Sequence, residues 1–508
     1  MSLRRLALPV LSLSVACGGG GGKPAPTPLP ALSAAPLVTE RTIQLVHPIE
    51  IETALVPADV AGLKQLLAQG WGETTMGAAE AIAPHTLDGS APPAASASPT
   101  LLVRFAHLAD TQLADDESPA RVVDFANMGA TYAAYRPQEA WGCRMLNAAV
   151  RTLDKVHEAH PLEFVLLGGD NADNVQSNEQ DWFHAILDGS PSVECDSGDD
   201  DDPVPGPDND PKDPFVAQGL TMPWRWVTGN HDVLNQGNFR LGSELSSYTG
   251  TDAPFSTRDW SRPGGPSTKG PVIADPRRAP LDRMALMAKI ASDADGHGIT
   301  AAAQAAGKAY YHFDVASGRV RIMVVDSAAE TGAADGVIHR GDLEAFVRPA
   351  LEEAEAEGKY VIVVSHHSAP TLTNGAGPGG AIQDDAVLTD EWRSFLGGFP
   401  HVMLHLGAHT HLFRSTAVKP TTGHSYFEAE TASLADWPGE VRLFEVWEEA
   451  AHIVIRAIPV DYATEGDPVV AEARTRAAAD FTSGWVDPSV GPGPEDSRAI
   501  ELWFPKAP

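Results

Sequence analysis

The chain is poor in cysteine, in basic residues and in long apolar runs, and each shortage narrows what it can be. Only three cysteines, Cys17, Cys143 and Cys195, occur in 508 residues, and no two form a CxxC pair. A zinc site built from thiolates is therefore not expected. Lys and Arg number 36 against 68 Asp and Glu, a formal net charge of −32. That balance argues against a nucleic-acid-binding surface, which depends on clustered basic side chains that neutralise phosphates. The apolar run near the N-terminus, residues 6–16, is too short to span a bilayer. What remains, 43% hydrophobic and 20% charged, is ordinary globular material with ample chain for a large core. At about 150 residues per domain the length suggests roughly three domains, or one long α/β domain with extensions.

Arg4 and Arg5 precede the apolar run, the layout of a secretory signal. It ends in Ser14-Val15-Ala16-Cys17, which resembles the lipobox of bacterial lipoproteins, although Ser14 stands where that family prefers Leu. The resemblance implies cleavage before Cys17 and acylation of its thiol; an ordinary cleaved signal is the alternative. Residues 17–38 then read as a Gly- and Pro-rich tether. The expectation is an exported lipoprotein at the outer membrane, its periplasmic face or the cell surface, touching the membrane through its anchor alone. In an oxidising compartment Cys143 and Cys195 are candidates for one disulfide, with two buried thiols as the alternative.

Residues 39–99 form an N-terminal extension and linker whose role the sequence does not assign, and residues 466–508 a C-terminal extension. Between them, residues 100–465 carry apolar runs that end in polar, metal-capable side chains. These are 101–110, 163–170, 224–232, 319–326, 360–367 and 401–411. Short runs of this kind predict strands of a buried sheet, and the spacing of Met145, Leu146, Ala149, Val150, Leu153 and Val156 predicts a helix over 139–157. Residues 443–447 and 452–458 read as a late antiparallel pair. The expected architecture is an α/β sandwich with its chemistry at the C-terminal ends of strands. An acidic insert, residues 194–213, holds nine carboxylates against Lys212. It reads as a solvated loop or, alternatively, as a structural calcium site.

Five polar clusters stand at these strand ends. In extended chain, Asp110 and Gln112 share a face, as do His409 and His411. Asp170 follows two glycines, Asn230 and His231 follow Gly229, and of the adjacent His366 and His367 one faces the site. Carboxylates, amide oxygens and imidazoles together make a mixed N/O ligand set for two divalent ions. His107, His405, His367 and Asp326 read instead as structural residues.

The ordered series Asp110-Thr-Gln112, Gly169-Asp170-Asn-Ala-Asp173, Gly229-Asn230-His231-Asp232, His366-His367 and Gly407-Ala-His409-Thr-His411 resembles the calcineurin-like metallophosphoesterase superfamily over roughly residues 100–460. The resemblance implies a sandwich of two mixed β-sheets flanked by helices. It implies Asp170 as a carboxylate bridging two metals, with Asp110, Gln112 and His411 completing one site and Asn230, His366 and His409 the other. His231 is implied as the catalytic proton donor beside the substrate, with Asp232 orienting its ring. The implied reaction is hydrolysis of a phosphate mono- or diester, or of a nucleotide, by a metal-bridging hydroxide. Gln112 stands where the family usually has His, which favours a hard ion such as Mn²⁺, with Fe and Zn as alternatives. Asp173 replaces the Tyr of the purple acid phosphatases. From a different class comes the alternative of a non-catalytic metal- or calcium-binding surface lipoprotein with a degenerate site.

Overall fold

The computed structural model describes residues 25–51, 53–128, 134–242, 247–293, 295–486 and 491–506. The signal segment and Cys17 lie outside the described residues. Among the described residues no helix is long and apolar enough to cross a membrane.

Two mixed sheets face each other. One has seven strands in the order Ala83–Thr86, Ile500–Pro505, His452–Asp461, Glu440–Glu448, Thr100–Leu108, Phe164–Leu167 and Trp224–Arg225. The other has six: Tyr311–Val315, Val320–Val324, Tyr360–Val364, Val402–Gly407, Tyr426–Glu430 and Arg414–Val418. The late antiparallel pair lies beside Thr100–Leu108, with Phe444 opposite Phe105. Phe105 stacks at 5.1 Å on both Phe164 and Phe444, so three neighbouring strands are locked in register by one aromatic row. Runs such as Val361–Val364 are β-branched and buried on both faces, the pattern of parallel strands covered on each side. One apolar core joins the sheets, including Phe105, Leu166, Ile322, Val364, Leu404 and Phe427.

The extensions belong to this body. Ala83–Thr86 and Ile500–Pro505 add strands to the larger sheet, and helix Pro468–Ser483 packs on helices Val60–Ala68 and Gly142–Ala159. The last of these is the helix expected over 139–157, entered through a single 3₁₀ turn, Glu139–Trp141.

Two strands are shorter than their apolar runs. The run at 224–232 pairs only over Trp224–Arg225, because the amide of Trp226 donates to the carbonyl of His297 and leaves the ladder. The run at 401–411 ends at Gly407. Beyond it His409 and His411 have φ of 69° and 56°, and Asp110 and Gln112 have φ of 48° and 38°. Neither pair is extended, so the shared-face argument for them fails. They converge through tight turns instead.

The acidic insert is not a free loop. A disulfide joins Cys143 to Cys195, Cα atoms 6.6 Å apart. Lys212 Nζ lies 2.8 Å from Asp116 and 2.6 Å from Glu117, with its charge also facing Asp196. Arg278 reaches from the far side to Asp115 at 2.8 Å and to Ser197. The carboxylates of Glu117, Asp196 and Asp201 cluster near the Lys212 charge, and Asp202, Asp210 and Asp213 form a second acidic group within the insert.

Candidate dinuclear metal centre

The parallel strands of both sheets point their C-terminal ends at one place. The larger sheet delivers Asp110 after Leu108, Asp170 after Leu167, and Asn230 and His231 beyond Arg225. The smaller delivers His366 after Val364, and His409 and His411 after Gly407. His411 Nε2 stands 3.2 Å from Asp110 Oδ1, and Gln112 Nε2 3.4 Å from His411 Nε2. On the other side, His366 Nε2 is 3.1 Å from Asn230 Oδ1, and its ring centroid is 5.2 Å from that of His409. Asp170 lies between the groups, with Oδ2 3.2 Å from His366 and 3.4 Å from Gln112. All seven expected ligands therefore meet.

Five of them, Asp110, Gln112, Asp170, His409 and His411, sit at positive φ. A non-glycine residue there costs on the order of 1–2 kcal/mol, so the surrounding fold must impose the conformation. Glycines make room for it. A Cβ on Gly229 would stand 2.1 Å from Asp170 Oδ1, and one on Gly169, at φ 87°, would stand 2.6 Å from His366 Nδ1.

The donor set suits divalent cations. Asp110 and Asp170 are fully buried carboxylates set among imidazoles and amides, with Asp110 Oδ1 3.2 Å from His411 Nε2 and Asp170 Oδ2 3.2 Å from His366 Nε2, an arrangement that suits a positive centre. Burial opposes charge on His366 and His411, yet the Asp170 carboxylate beside one and the Asp110 carboxylate beside the other push them up to about 9 and about 10. Burial and the neighbouring histidines 367 and 366 drive His409 well below its usual range, so it offers a neutral ring. Gln112 departs in one respect: its amide nitrogen, not the oxygen, faces Asp170. Ligation through oxygen requires the opposite sense of the amide, reached by rotating the terminal torsion.

His231 stays beside the cluster. Its Nε2 is 3.9 Å from Asp170 Oδ2, and its side chain is 17% exposed, open to an incoming molecule. Asp232 does not orient its ring, contrary to expectation. That carboxylate is turned away and accepts from the backbone amides of Asn171, Ala172 and Gly229 and from the Asn171 side chain. The ring is held by Asp173, whose Oδ1 is 2.7 Å from His231 Nδ1. Sequence reasoning also missed Asp436, whose Oδ2 is 2.5 Å from His411 Nδ1. Its only sequence signal is a carboxylate in a turn shortly after the strand Tyr426–Glu430.

The residues assigned structural parts have partners of their own, although His367 also lies against His409, ring centroids 4.4 Å apart. His107 bonds Thr431, and burial drives its pKa down to about 3. His405 bonds Ser365, Asp326 receives the Ala309 amide, and His367 is clamped between Ser327 and the carbonyl of Ala334.

Fold and site together define a two-sheet α/β protein with a buried, carboxylate-centred metal cradle at its strand ends. The family model of the calcineurin-like phosphoesterases matches residues 103–413, more than half of the chain, which therefore belongs to that family. No curated protein matches it. Among solved structures it is similar to a dimetal phosphatase from Danio rerio, at 12% identity and a TM-score of 0.41, over 72% of this chain and 100% of that one. It is also similar to GAP50, the anchor in the inner membrane complex of Plasmodium, at 13% identity and a TM-score of 0.30, over 70% and 84%.

Proposed function

We propose that the protein is a metal-dependent hydrolase of small-molecule phosphate esters, mono- or diesters or nucleotides. Asp110, Gln112, Asp170 and His411 would hold one divalent cation and Asp170, Asn230, His366 and His409 the other. The observation that supports this reading is the convergence of five strand-end segments on one buried group of carboxylates, amides and imidazoles.

Bound cations would supply neutralisation of phosphate charge and a lowered pKa for the water that attacks. The chain's own residues do the rest. His231, its side chain 17% exposed, has Nδ1 fixed by Asp173, leaving Nε2 to give a proton to the departing alkoxide. Burial disfavours its charge, but the Asp170 charge and the Asp173 bond raise its pKa, which keeps a proton available. Mn²⁺ is the favoured ion, because the set is rich in oxygen and has no sulfur.

The test is hydrolysis of p-nitrophenyl phosphate, its bis ester and nucleotides with Mn²⁺, before and after chelation, alongside metal content. Chelatable turnover is expected. Two bound ions with no turnover on any of these would sink the reading.

Export and lipid anchoring belong to the same proposal. They are supported by the lipobox-like Ser14-Val15-Ala16-Cys17 and by the Cys143–Cys195 disulfide, which suits an oxidising compartment. Cys17→Ser should release the protein from membranes; unchanged retention would remove the anchor.

A further inference from the structure

The segment between strand Thr100–Leu108 and helix Gly142–Ala159 sends two arginines beneath the metal cradle. Arg121 Nη1 lies 2.9 Å from Asp173 Oδ2, and the other oxygen of Asp173 holds His231 Nδ1. Arg136 Nε lies 2.5 Å from Asp436 Oδ1, and the other oxygen of Asp436 holds His411 Nδ1. Two Arg–Asp–His relays thus run side by side. Glu139 ties them at the base: its Oε2 accepts from Arg121 Nη2 at 2.7 Å and from the backbone amide of Arg136 at 3.1 Å.

We propose that Arg121 and Arg136 are positioning residues with separable effects. Arg121, through Asp173, aims His231 at the leaving group. Arg136, through Asp436, aims His411 at the cation. The proposal rests on the phosphoesterase reading above.

Geometry carries the argument. The two arginines, both carboxylates and Glu139 are each at most 8% exposed, so water does not compete for their hydrogen bonds. A carboxylate on Nδ1 fixes which nitrogen carries the proton and where the ring points, leaving Nε2 to act. In one relay Nε2 lies 3.2 Å from Asp110 within the cradle, and in the other Nε2 lies 3.9 Å from Asp170 Oδ2 at the cradle's edge, on a side chain 17% exposed. A guanidinium presents its donors in a rigid plane, so Arg121 can hold Asp173 and Glu139 at once, which a lysine ammonium on a flexible stem cannot do with the same precision. A buried ion pair that serves only the fold should, when removed, weaken every function together. These two pairs end on different histidines, so their removal should separate the functions.

The experiment uses the full chain loaded with Mn²⁺ and the variants Arg121→Met, Arg121→Lys, Arg136→Met and Arg136→Lys. Metal per chain is measured after gel filtration. Turnover is measured on two monoesters that differ only in leaving group: p-nitrophenolate, which departs without a proton, and a simple alkoxide, which needs one. Arg121→Met should keep both ions and lose at least about tenfold more turnover on the alkyl ester than on the aryl ester, with Arg121→Lys intermediate. Arg136→Met should elute with fewer ions and lose both esters in parallel, with recovery in excess Mn²⁺.

Equal losses on the two esters, or metal loss, in Arg121→Met would overturn the first assignment. Wild-type metal retention in Arg136→Met would overturn the second. If the methionine variants fail to fold, the lysine variants are judged by the same criteria. A wild-type chain that binds metal but hydrolyses neither ester would sink the phosphoesterase reading and the role of Arg121 with it. Metal retention would still decide the role of Arg136.

Discussion

His231 and Asp173, 58 positions apart in the chain, meet ring to carboxylate with Nδ1 2.7 Å from Oδ1. Asp232, the neighbour of His231 in sequence, instead closes the turn at Asn171 and Ala172 by accepting their amides at 2.9 and 3.1 Å. The two acids should therefore fail differently when altered. Asp173→Asn should keep its metals and lose about 10²-fold in turnover on esters with poor leaving groups, since the ring then lacks its anionic partner. Asp232→Ala should leave the buried backbone amides of Asn171, Ala172 and Gly229 without an acceptor and lower stability by several kcal/mol, read as a fall in the denaturant midpoint. A stable Asp232→Ala variant with a selective leaving-group defect would reverse these roles.

The contrast shows how much the sequence could say. Asp110, Asp170 and His366 were legible because each follows a run of buried apolar residues, and a polar residue just past a strand end has few places to go except the common edge. What stayed hidden depends on three-dimensional neighbours. Asp173 and Asp436 reach their histidines across chain separations that no spacing rule encodes. The positive φ of Gln112 and His411 brings the same residues together as an extended strand would, through tight turns that residue spacing does not reveal. The terminal segments lacked a strand-like run long enough to reveal that Ala83–Thr86 and Ile500–Pro505 complete the larger sheet.

The central carboxylate should dominate metal retention. Asp170 lies between the two ligand groups and accepts the His231 backbone amide at 2.8 Å through its other oxygen. Asp170→Asn should elute with neither ion, whereas His231→Ala should retain both and lose most turnover. Elemental analysis of the two variants decides this, and the opposite pattern would contradict the assignment.

Gln112 should set metal preference. Its neutral amide stands where an imidazole would favour softer ions, and it lies 3.4 Å from both Asp170 and His411. Gln112→His should shift competition between Zn²⁺ and Mn²⁺ toward Zn²⁺ by about tenfold or more, measured as occupancy at equal free concentrations. Unchanged occupancy would mean that residue 112 does not ligate.

The disulfide should support the fold more than the site. Cys143 and Cys195 close a loop with a sequence separation of 52, for which chain entropy predicts up to about 4 kcal/mol of stabilisation. The insert is also held by the Lys212 ion pairs with Asp116 and Glu117 and by the Arg278 bond to Ser197, which do not depend on the sulfur bridge. Cys143→Ala/Cys195→Ala should therefore unfold at lower denaturant while binding the same number of metal ions.

Asp480 should make stability depend on pH. It lies in helix Pro468–Ser483, 6% exposed, where burial and then the Asp436 charge push its pKa from 3.8 up to about 8. Between those values the folded chain holds a proton that the unfolded chain has released, so its contribution is fully present below about pH 4 and is lost as pH rises to about 8. At about 1.4 kcal/mol per unit the shift bounds the effect at about 6 kcal/mol. Asp480→Asn removes the titration, so its stability should change less than the wild type's across that window, with the variant the more stable of the two at pH 8 by a few kcal/mol. Urea unfolding of metal-loaded protein at pH 5 and pH 8 reads the difference, and identical pH dependence in the two proteins would show that Asp480 is ionised in the fold.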